Sequence, residues 1–207
     1  MNASDSPNPA ALAPGARIAD LSPVGRRILD AARRIAVGEG MEAVTVQAVA
    51  TEAGVHKSAI GYHFGNKEGL VLALIESLAD DGSAEPLQSV ARIADPSERF
   101  RAYLAFCREG IVTTDRWRLV FALWQTPFFE EKIRVLRRSF MMDMESLRIG
   151  DGEDTLVLMT VLRAALTGLA FQYEARGSQM DLDACFERLE LLFAPAFRQS
   201  MTDCRTP

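Results

Sequence analysis

Apolar residues recur at helical spacing in a short segment near the start of the chain. The spacing i, i+3, i+4 and i+7 predicts a short helix that buries one face. Gly54 follows this stripe, where a left-handed residue would end the helix and let the chain turn. The four residues that form the stripe are Val46, Val49, Ala50 and Ala53.

A second short helix is predicted directly after the turn, from about Lys57 to Phe64. Ile60 and Phe64 would be buried, and Val55 would fill the space beneath the turn. Two short helices across a tight turn form a helix-turn-helix, whose second helix has the right size for the major groove of DNA. The pattern therefore predicts double-stranded DNA as a partner.

The remainder of the chain also has helical periodicity, without strand alternation between hairpin turns. Ser22 before Pro23 predicts the start of a first helix, which Gly38 or Gly40 would end. The fold class expected is all-α with about nine helices. The next helix is expected over Lys67–Leu78, with Asn66 as its cap. A break is expected at Asp81–Pro86, and another helix is expected from Asp95 onward. The remaining helices are expected over Trp117–Trp124, Thr126–Leu147, 154–176 and Leu182–Phe193, and Pro195 would disrupt the end of the last one.

The charge of the chain is unevenly distributed. The 207 residues are 48% apolar, enough for one or two helical domains, and carry a net charge of −5. Residues 17–68 nevertheless hold seven Lys and Arg against six Asp and Glu, so the acidity lies elsewhere. A mildly basic end on an acidic body can bind phosphate, with modest non-specific affinity for DNA.

Several other classes of protein are not expected. The three cysteines lie far apart without a CxxC pair, which indicates a reducing cytoplasm and no structural zinc. No cofactor is expected. We find no run long enough to span a bilayer, and residues 1–20 form a flexible arm that lacks the features of a signal peptide. His56 and His63 are the two histidines, and no phosphate loop, GxSxG or HExxH motif indicates an enzyme.

Residues 26–72 closely resemble the N-terminal domain of TetR/AcrR-type transcriptional regulators. The resemblance rests on the segments ILDAA, TVQAVATEAGV, YHF and GNKEGL. It implies a three-helix DNA-binding domain over residues 21–66 and a helical ligand-binding and dimerisation domain over residues 67–200. The arm of residues 1–20 would precede them, and a tail of residues 201–207 would follow.

The resemblance also implies which side chains contact the operator. Two of them would lie at the start of the second helix, three on the front of the recognition helix, and three along the phosphates. Phosphate contacts set the register on DNA, and groove-facing side chains supply sequence preference. The implied DNA-binding residues are Thr45, Gln47, Lys57, Ser58, Ala59, Tyr62, His63 and Lys67.

Three positions depart from the family pattern. His56 stands where a serine usually opens the recognition helix, and histidine caps helices poorly. Ser58 stands where glycine is frequent. Gly61 replaces a tyrosine that would contact phosphate, and a glycine inside a helix costs roughly 0.5–1 kcal/mol relative to alanine. The fold implied by the resemblance does not depend on these positions, but the side-chain contacts to DNA do.

In this family the later helices bind a small-molecule effector, and the middle of this chain concentrates aromatic residues and methionines. Ordinary helical core is the alternative for each of them. Arg163 interrupts the most apolar helix, so it needs a carboxylate partner in the same subunit, a partner across a dimer, or an anionic ligand group. The predicted ligand-binding residues are Tyr103, Cys107, Trp117, Phe121, Trp124, Phe128, Met141, Met159 and Arg163.

The last two helices carry more apolar surface than one subunit is expected to cover. By resemblance they would form the interface of a homodimer, as a four-helix bundle of two helices from each subunit. Dimerisation suits DNA because two recognition helices one helical turn apart read a near-palindrome. The predicted interface residues are Leu158, Leu162, Leu166, Leu169, Leu189, Leu192 and Phe193.

These observations lead to one expected function and one alternative. We expect a homodimeric transcriptional repressor that a small apolar or amphipathic effector releases from its operator. The helix Lys67–Leu78 would transmit the effect of the ligand to the recognition helix. The alternative is an effector-independent DNA-binding or protein-interaction factor with a vestigial pocket.

Overall fold

The computed structural model describes residues 21–79, 84–149 and 152–203. These residues form ten α-helices and a 3-10 turn at Gly177–Gln179 without any strand, so the predicted all-α fold is confirmed. The predicted arm of residues 1–20 and the end of the predicted tail lie outside the described residues. The helices are α1 Pro23–Glu39, α2 Val46–Ala53, α3 Lys57–Phe64, α4 Lys67–Ser77, α5 Ala84–Ala91, α6 Pro96–Thr113, α7 Arg116–Trp124, α8 Phe129–Leu147, α9 Glu153–Arg176 and α10 Leu182–Asp203.

The chain divides into two compact units. The first comprises the described residues up to 79 together with Arg118–Leu136, and the second comprises residues 84–117 together with those from Arg137 onward. This division differs from the predicted boundary at residue 66. Helix α4 packs against α1 and α3, and its apolar side chains belong to the core of the first unit.

Side-chain caps fix the starts of three helices where the sequence predicted them. The Ser22 hydroxyl accepts a hydrogen bond from the N–H of the residue three positions on, across 3.1 Å. Asn66 and Asp95 cap α4 and α6 in the same way, across 2.9 and 2.8 Å. Each cap satisfies an N–H that has no partner inside the helix, which typically contributes about 1 kcal/mol. The helix starts were therefore predictable from local chemistry.

The core of the first unit combines α1 to α4 with parts of α7 and α8. Ile28, Val49 and Ile60 are fully buried and come from the three predicted DNA-binding helices. Leu119 of α7 and Val135 of α8 are buried in the same cluster. The helix-turn-helix is thus supported by residues far from it in the sequence.

Two predictions about helices in the second unit were wrong. A break was expected at Asp81–Pro86, but α5 begins at Ala84. Pro86 is tolerated in the first helical turn because N–H groups there have no acceptor within the helix, so the missing N–H of proline removes no hydrogen bond. Helix α10 continues through Pro195 instead of ending near it. Phe197, just beyond that proline, is fully buried and stacks on Phe100 with ring centroids 4.6 Å apart, which holds the continued helix in place.

The expectation that no segment could span a bilayer also needs correction. The segment Glu153–Gln179 is long and apolar enough to cross a bilayer, by length and composition alone. Core helices of soluble proteins have the same length and composition, so these two properties alone do not establish a membrane span. Arg163 near the middle of α9 would be costly in a bilayer.

Candidate functional site

The turn between α2 and α3 has the backbone geometry that the sequence predicted. Gly54 lies in the left-handed region, with φ 63° and ψ 43°. The N–H of Gly54 donates to the Thr51 carbonyl across 3.2 Å, and the N–H of Val55 donates to the Ala50 carbonyl across 2.9 Å. These two bonds form a Schellman motif, which ends α2 and sets the direction of the chain into α3.

Two apolar anchors orient the recognition helix. Ile60 and Phe64 of α3 are buried in the core of the first unit. Lys57 and Ser58 are exposed, as is most of the Tyr62 side chain. Ala59, in contrast, is half-buried and packs against the core, so it is not part of the exposed front that was predicted. The sequence did not separate these faces for Ala59 because alanine fits either one.

The aromatic end of α3 is packed by local contacts. The rings of Tyr62 and His63 meet edge to face with centroids 5.0 Å apart. His63 is half-buried, and a Cβ atom added at Gly25 of α1 would lie 3.5 Å from its Nδ1. The imidazole therefore lies against the start of α1, while the Tyr62 ring is accessible.

The remaining predicted DNA contacts lie at helix starts. Thr45 caps α2, because its hydroxyl oxygen accepts from the Ala48 N–H across 3.1 Å, and its O–H is left to donate. Gln47 is exposed and donates to Thr51 across 3.1 Å. Lys67 is exposed in the first turn of α4. All three are accessible to a phosphate.

Glycine has different roles at the two ends of this region. A Cβ atom at Gly69 would lie 1.9 Å from the Phe64 carbonyl oxygen, so no side chain fits between α3 and α4 at that point. A Cβ atom at Gly61 would meet nothing within 4 Å. Neither packing nor backbone conformation requires glycine at position 61. His56, as expected, forms no side-chain cap for α3.

A polar cluster joins three helices inside the second unit. Arg163 of α9 forms an ion pair with Asp143 of α8, and its Nη1 lies 3.4 Å from the Ser139 hydroxyl. Tyr103 of α6 shares a hydrogen bond with Asp143, and Cys107 lies beside Tyr103. The carboxylate partner that Arg163 required is therefore within its own subunit.

Burial dominates the electrostatics of this cluster. Loss of solvent raises the pKa of Asp143 above its usual value, although Arg163 and Arg116 both act to lower it. Burial also raises the pKa of the Tyr103 phenol and of the Cys107 thiol. The last two groups are therefore neutral at pH 7, and Asp143 gives up its charge more readily than an exposed carboxyl.

The predicted effector residues do not share one environment. Trp124 and Met141 are mostly exposed, Met159 is fully buried, and Trp117, Phe121 and Phe128 are half-buried. Phe121, Trp124 and Phe128 belong to the first unit, and the other six residues belong to the second. The structure brings together Tyr103, Cys107 and Arg163, the three with ionisable side chains.

Sequence reasoning missed the central carboxylate of the cluster. Asp143 stands between Met142 and Met144 and is buried. An isolated acid within an apolar run is the counterpart of the isolated Arg163, and pairing the two was the available signal. It was missed because no local spacing relates residues on two different helices.

The outward face of the last two helices differs from the predicted one. Leu162, Leu166 and Leu189 are buried by helices of their own subunit, which corrects their assignment to a surface between subunits. Leu158, Leu169 and Phe193 are half-buried, and Leu192 alone among the predicted residues is largely exposed. Among the side chains that the structure describes, the large apolar ones exposed on α9 and α10 are Leu156, Val157, Val161, Phe171, Leu191 and Leu192.

Comparison with known proteins identifies the family. The family model described as bacterial regulatory proteins, tetR family, matches residues 28–74. The HTH-type transcriptional regulator BetI of Rhizobium meliloti (strain 1021) is 35% identical over 177 residues, which are 84% of this chain and 82% of BetI. The chain belongs to the TetR family. It is a DNA-binding transcriptional regulator with an N-terminal helix-turn-helix, and not an enzyme.

Solved structures of similar fold include two ligand complexes. FadR of Bacillus subtilis in complex with stearoyl-CoA matches with a TM-score of 0.66 and 16% identity, over 82% of this chain and 97% of that one. A transcriptional regulator of Saccharomonospora viridis in complex with choline matches with a TM-score of 0.61 and 23% identity, over 82% and 94%. At these identities the likeness concerns the fold alone.

Proposed function

We propose that this TetR-family regulator is a homodimeric cytoplasmic repressor that a small apolar or amphipathic effector releases from a near-palindromic operator. The observation that carries the proposal is that α3 buries one face in the core and exposes the other to solvent. Ile60 and Phe64 lock one face of this helix into the core, while Lys57, Ser58 and Tyr62 face solvent. A short helix held in this way fits the major groove, with cationic and aromatic groups at its edges for the phosphates.

Dimerisation is supported by the exposed apolar stripe of α9. Val157, Val161 and Phe171 are each more than half exposed and lie on one side of the helix. Ala164 and Gly168 continue this stripe as small exposed residues, which let a second helix approach closely. On α10, Leu191 and Leu192 are about two-thirds exposed. A second copy of these two helices would cover both surfaces and complete a four-helix bundle.

A route for the effector signal is supported by the composition of the first unit. Leu119 and Leu123 of α7 and Val135 of α8 are buried in one core with α1 and α4. Helix α8 continues beyond Val135 to the residues that hold Arg163. A ligand that bound better to one position of α8 would therefore also favour one arrangement of α4 and the recognition helix.

Effector binding is supported in general terms by the family. The FadR of Bacillus subtilis was solved with stearoyl-CoA, and the Saccharomonospora viridis regulator with choline. Both ligands combine a charged group with apolar groups. The aromatic and methionine side chains of this chain, together with the Arg163–Asp143 pair, offer partners for both kinds of group.

The proposal is tested by measuring the binding of the full-length protein to labelled DNA from the region flanking its own gene. We expect one segment to bind more tightly than a scrambled duplex of equal composition, with affinity that falls as salt rises. Tyr62→Ala should weaken this binding by much more than it lowers the thermal midpoint, since the ring is mostly exposed and loses only its edge contact with His63 and other local contacts. Arg137→Ala, an exposed arginine on α8, is the matched control.

The second half of the test is release by a ligand. Compounds that raise the thermal midpoint of the protein should also lower its affinity for the operator. Absence of sequence-specific binding at low salt would contradict the proposed function. Specific binding that no stabilising compound weakens would favour an effector-independent factor with a vestigial pocket.

A further inference from the structure

We propose that Arg163 and Asp143 form the polar end of the effector site, and that the site takes an amphipathic effector with an anionic head group such as a carboxylate. This inference rests on the proposed function and specifies the chemistry of its ligand. It concerns residues of the second unit alone, where α6, α8 and α9 each contribute a polar side chain to one buried cluster.

The guanidinium of Arg163 has donors to spare. Its Nη1 bonds to Asp143 and lies near Ser139, but within the described residues its Nε and Nη2 have no protein partner. No buried side-chain nitrogen or oxygen lacks a partner in this part of the chain. The Arg163 side chain is 22% exposed, so its free donors keep some contact with solvent, and in our proposal a carboxylate bonds to them while Asp143 keeps its bond to Nη1.

The neighbouring groups favour a negative head group. Asp143 interacts with two guanidinium groups, those of Arg163 and Arg116, and Arg116 has further contacts of its own. A second anion would share these cations, and burial already favours uptake of a proton by Asp143. A cationic head group would instead add a third positive charge beside one carboxylate. Two like charges that lie close together repel each other strongly where most of the water is excluded.

Apolar groups adjoin the polar cluster. The Phe140 ring centroid lies 5.8 Å from Cζ of Arg163, so an aromatic ring lies next to the guanidinium. Met159 lies one turn before Arg163 on α9 and is fully buried. A ligand whose charge reaches Arg163 therefore meets apolar surroundings next to it. An acid with an aliphatic or aromatic tail matches this arrangement, whereas an inorganic anion does not.

Matched ligands test the head group directly. The panel contains short aliphatic, long aliphatic and aromatic carboxylates, each with the alcohol and the trimethylammonium compound that carry the same tail. Binding to the full-length protein is measured by calorimetry, and release by operator anisotropy. At least one carboxylate should bind roughly tenfold or more tightly than its alcohol, as expected for a hydrogen bond to a charged group. The ammonium counterpart should bind more weakly than the alcohol.

Variants assign this preference to Arg163. Arg163→Met should abolish the difference between the carboxylate and its alcohol while the alcohol still binds. The double variant Arg163→Met with Asp143→Leu removes both charges, leaves no unpaired ion and should give the same result if the single variant folds poorly. Arg137→Met should keep the full preference.

The outcomes separate this inference from the proposed function. If no carboxylate binds better than its alcohol, if an ammonium compound binds best, or if Arg163→Met keeps the preference, the anionic head group is overturned. Release of the operator by a neutral or cationic ligand would leave the proposed function standing. Failure to bind any operator would contradict the proposed function instead.

Discussion

Arg134 of α8 donates a hydrogen bond to Glu76 of α4, with Nη1 and Oε1 3.2 Å apart. The Glu76 side chain is only 12% exposed, and that of Arg134 is 46% exposed. The pair lies beside the apolar contacts that Val135 makes with the core of the first unit. The pair therefore links α4, the helix that follows the recognition helix, to α8.

Removal of this ion pair should affect signalling more than stability. We expect Arg134→Met to lower the free energy of unfolding by no more than about 1 kcal/mol, because one partner is half exposed. If α8 acts on α4 as proposed, the variant should need more effector to release the operator. Urea denaturation and effector titration on operator DNA measure the two effects, with Arg137→Met as control. An unchanged effector titration would contradict a role of this pair in coupling.

A pair of glycine substitutions should have opposite effects on stability. Gly61→Ala should stabilise the protein by roughly 0.5–1 kcal/mol, since the added methyl group meets nothing and α3 gains helix propensity. Gly54→Ala should destabilise it by about 1 kcal/mol or more, because φ is 63° there. Thermal or urea denaturation distinguishes the two. A destabilised Gly61→Ala protein would reveal a packing role for the glycine.

Phosphate and base contacts should differ in their dependence on salt. Lys67 is exposed at the start of α4, where the helix N-terminus also favours an anion. Lys67→Met should weaken operator and scrambled DNA alike and reduce the salt slope by about 1. Ser58→Ala should leave the salt slope unchanged while altering the preference between operator variants. Equal salt slopes for wild type and Lys67→Met would exclude a phosphate contact.

The raised pKa of Asp143 predicts a specific pH dependence. The folded state holds the Asp143 proton more tightly than the unfolded chain, whose pKa is near 3.8. Stability contributed by the neutral form is therefore lost as pH rises from the unfolded pKa through the folded one. The unfolding free energy of wild type minus that of Asp143→Asn should fall over this range and then level off. Urea denaturation at several pH values measures it, and a rising difference would show that Arg163 outweighs burial.

The exposed faces of α9 and α10 should govern assembly. Val161→Glu or Leu191→Glu places a charge on the face proposed to meet a second copy. Each should yield a monomer by light scattering and lose most operator affinity, because two half-sites can no longer be held together. Ala105→Glu, at an exposed position of α6, is the control for an added charge. A dimeric Val161→Glu protein with normal affinity would place the interface elsewhere.

Most of the helix-turn-helix could be predicted from the sequence because the interactions that form it are local. Gly54 and Val55 end α2 through hydrogen bonds to carbonyls a few residues away, and Ile60 and Phe64 stand one turn apart on one face of α3. The cap at Asn66 involves a backbone N–H three residues on. Chemistry of such short range is the same wherever the segment lies in the fold.

The outward face of α9 and the Arg163–Asp143 pair were harder to predict from the sequence because they depend on contacts between distant helices. Helix α9 is apolar nearly all round, so periodicity did not show that Leu162 faces its own subunit while Val161 faces solvent. Likewise, the position of Arg163 in an apolar helix predicted that it needs a partner, but did not predict which carboxylate the partner would be.

The sequence by itself determined the all-helical fold, the turn at Gly54, the two anchors of α3 and membership of a DNA-binding family. Hydrogen-bonding range and helical periodicity are sufficient for these features. Only the tertiary structure decided that Asp143 pairs with Arg163, that residues of α7 and α8 complete the core around α4, and that α10 continues past Pro195. Those features arise from the packing of side chains on separate helices, where close fit and burial select among partners that sequence spacing leaves equal.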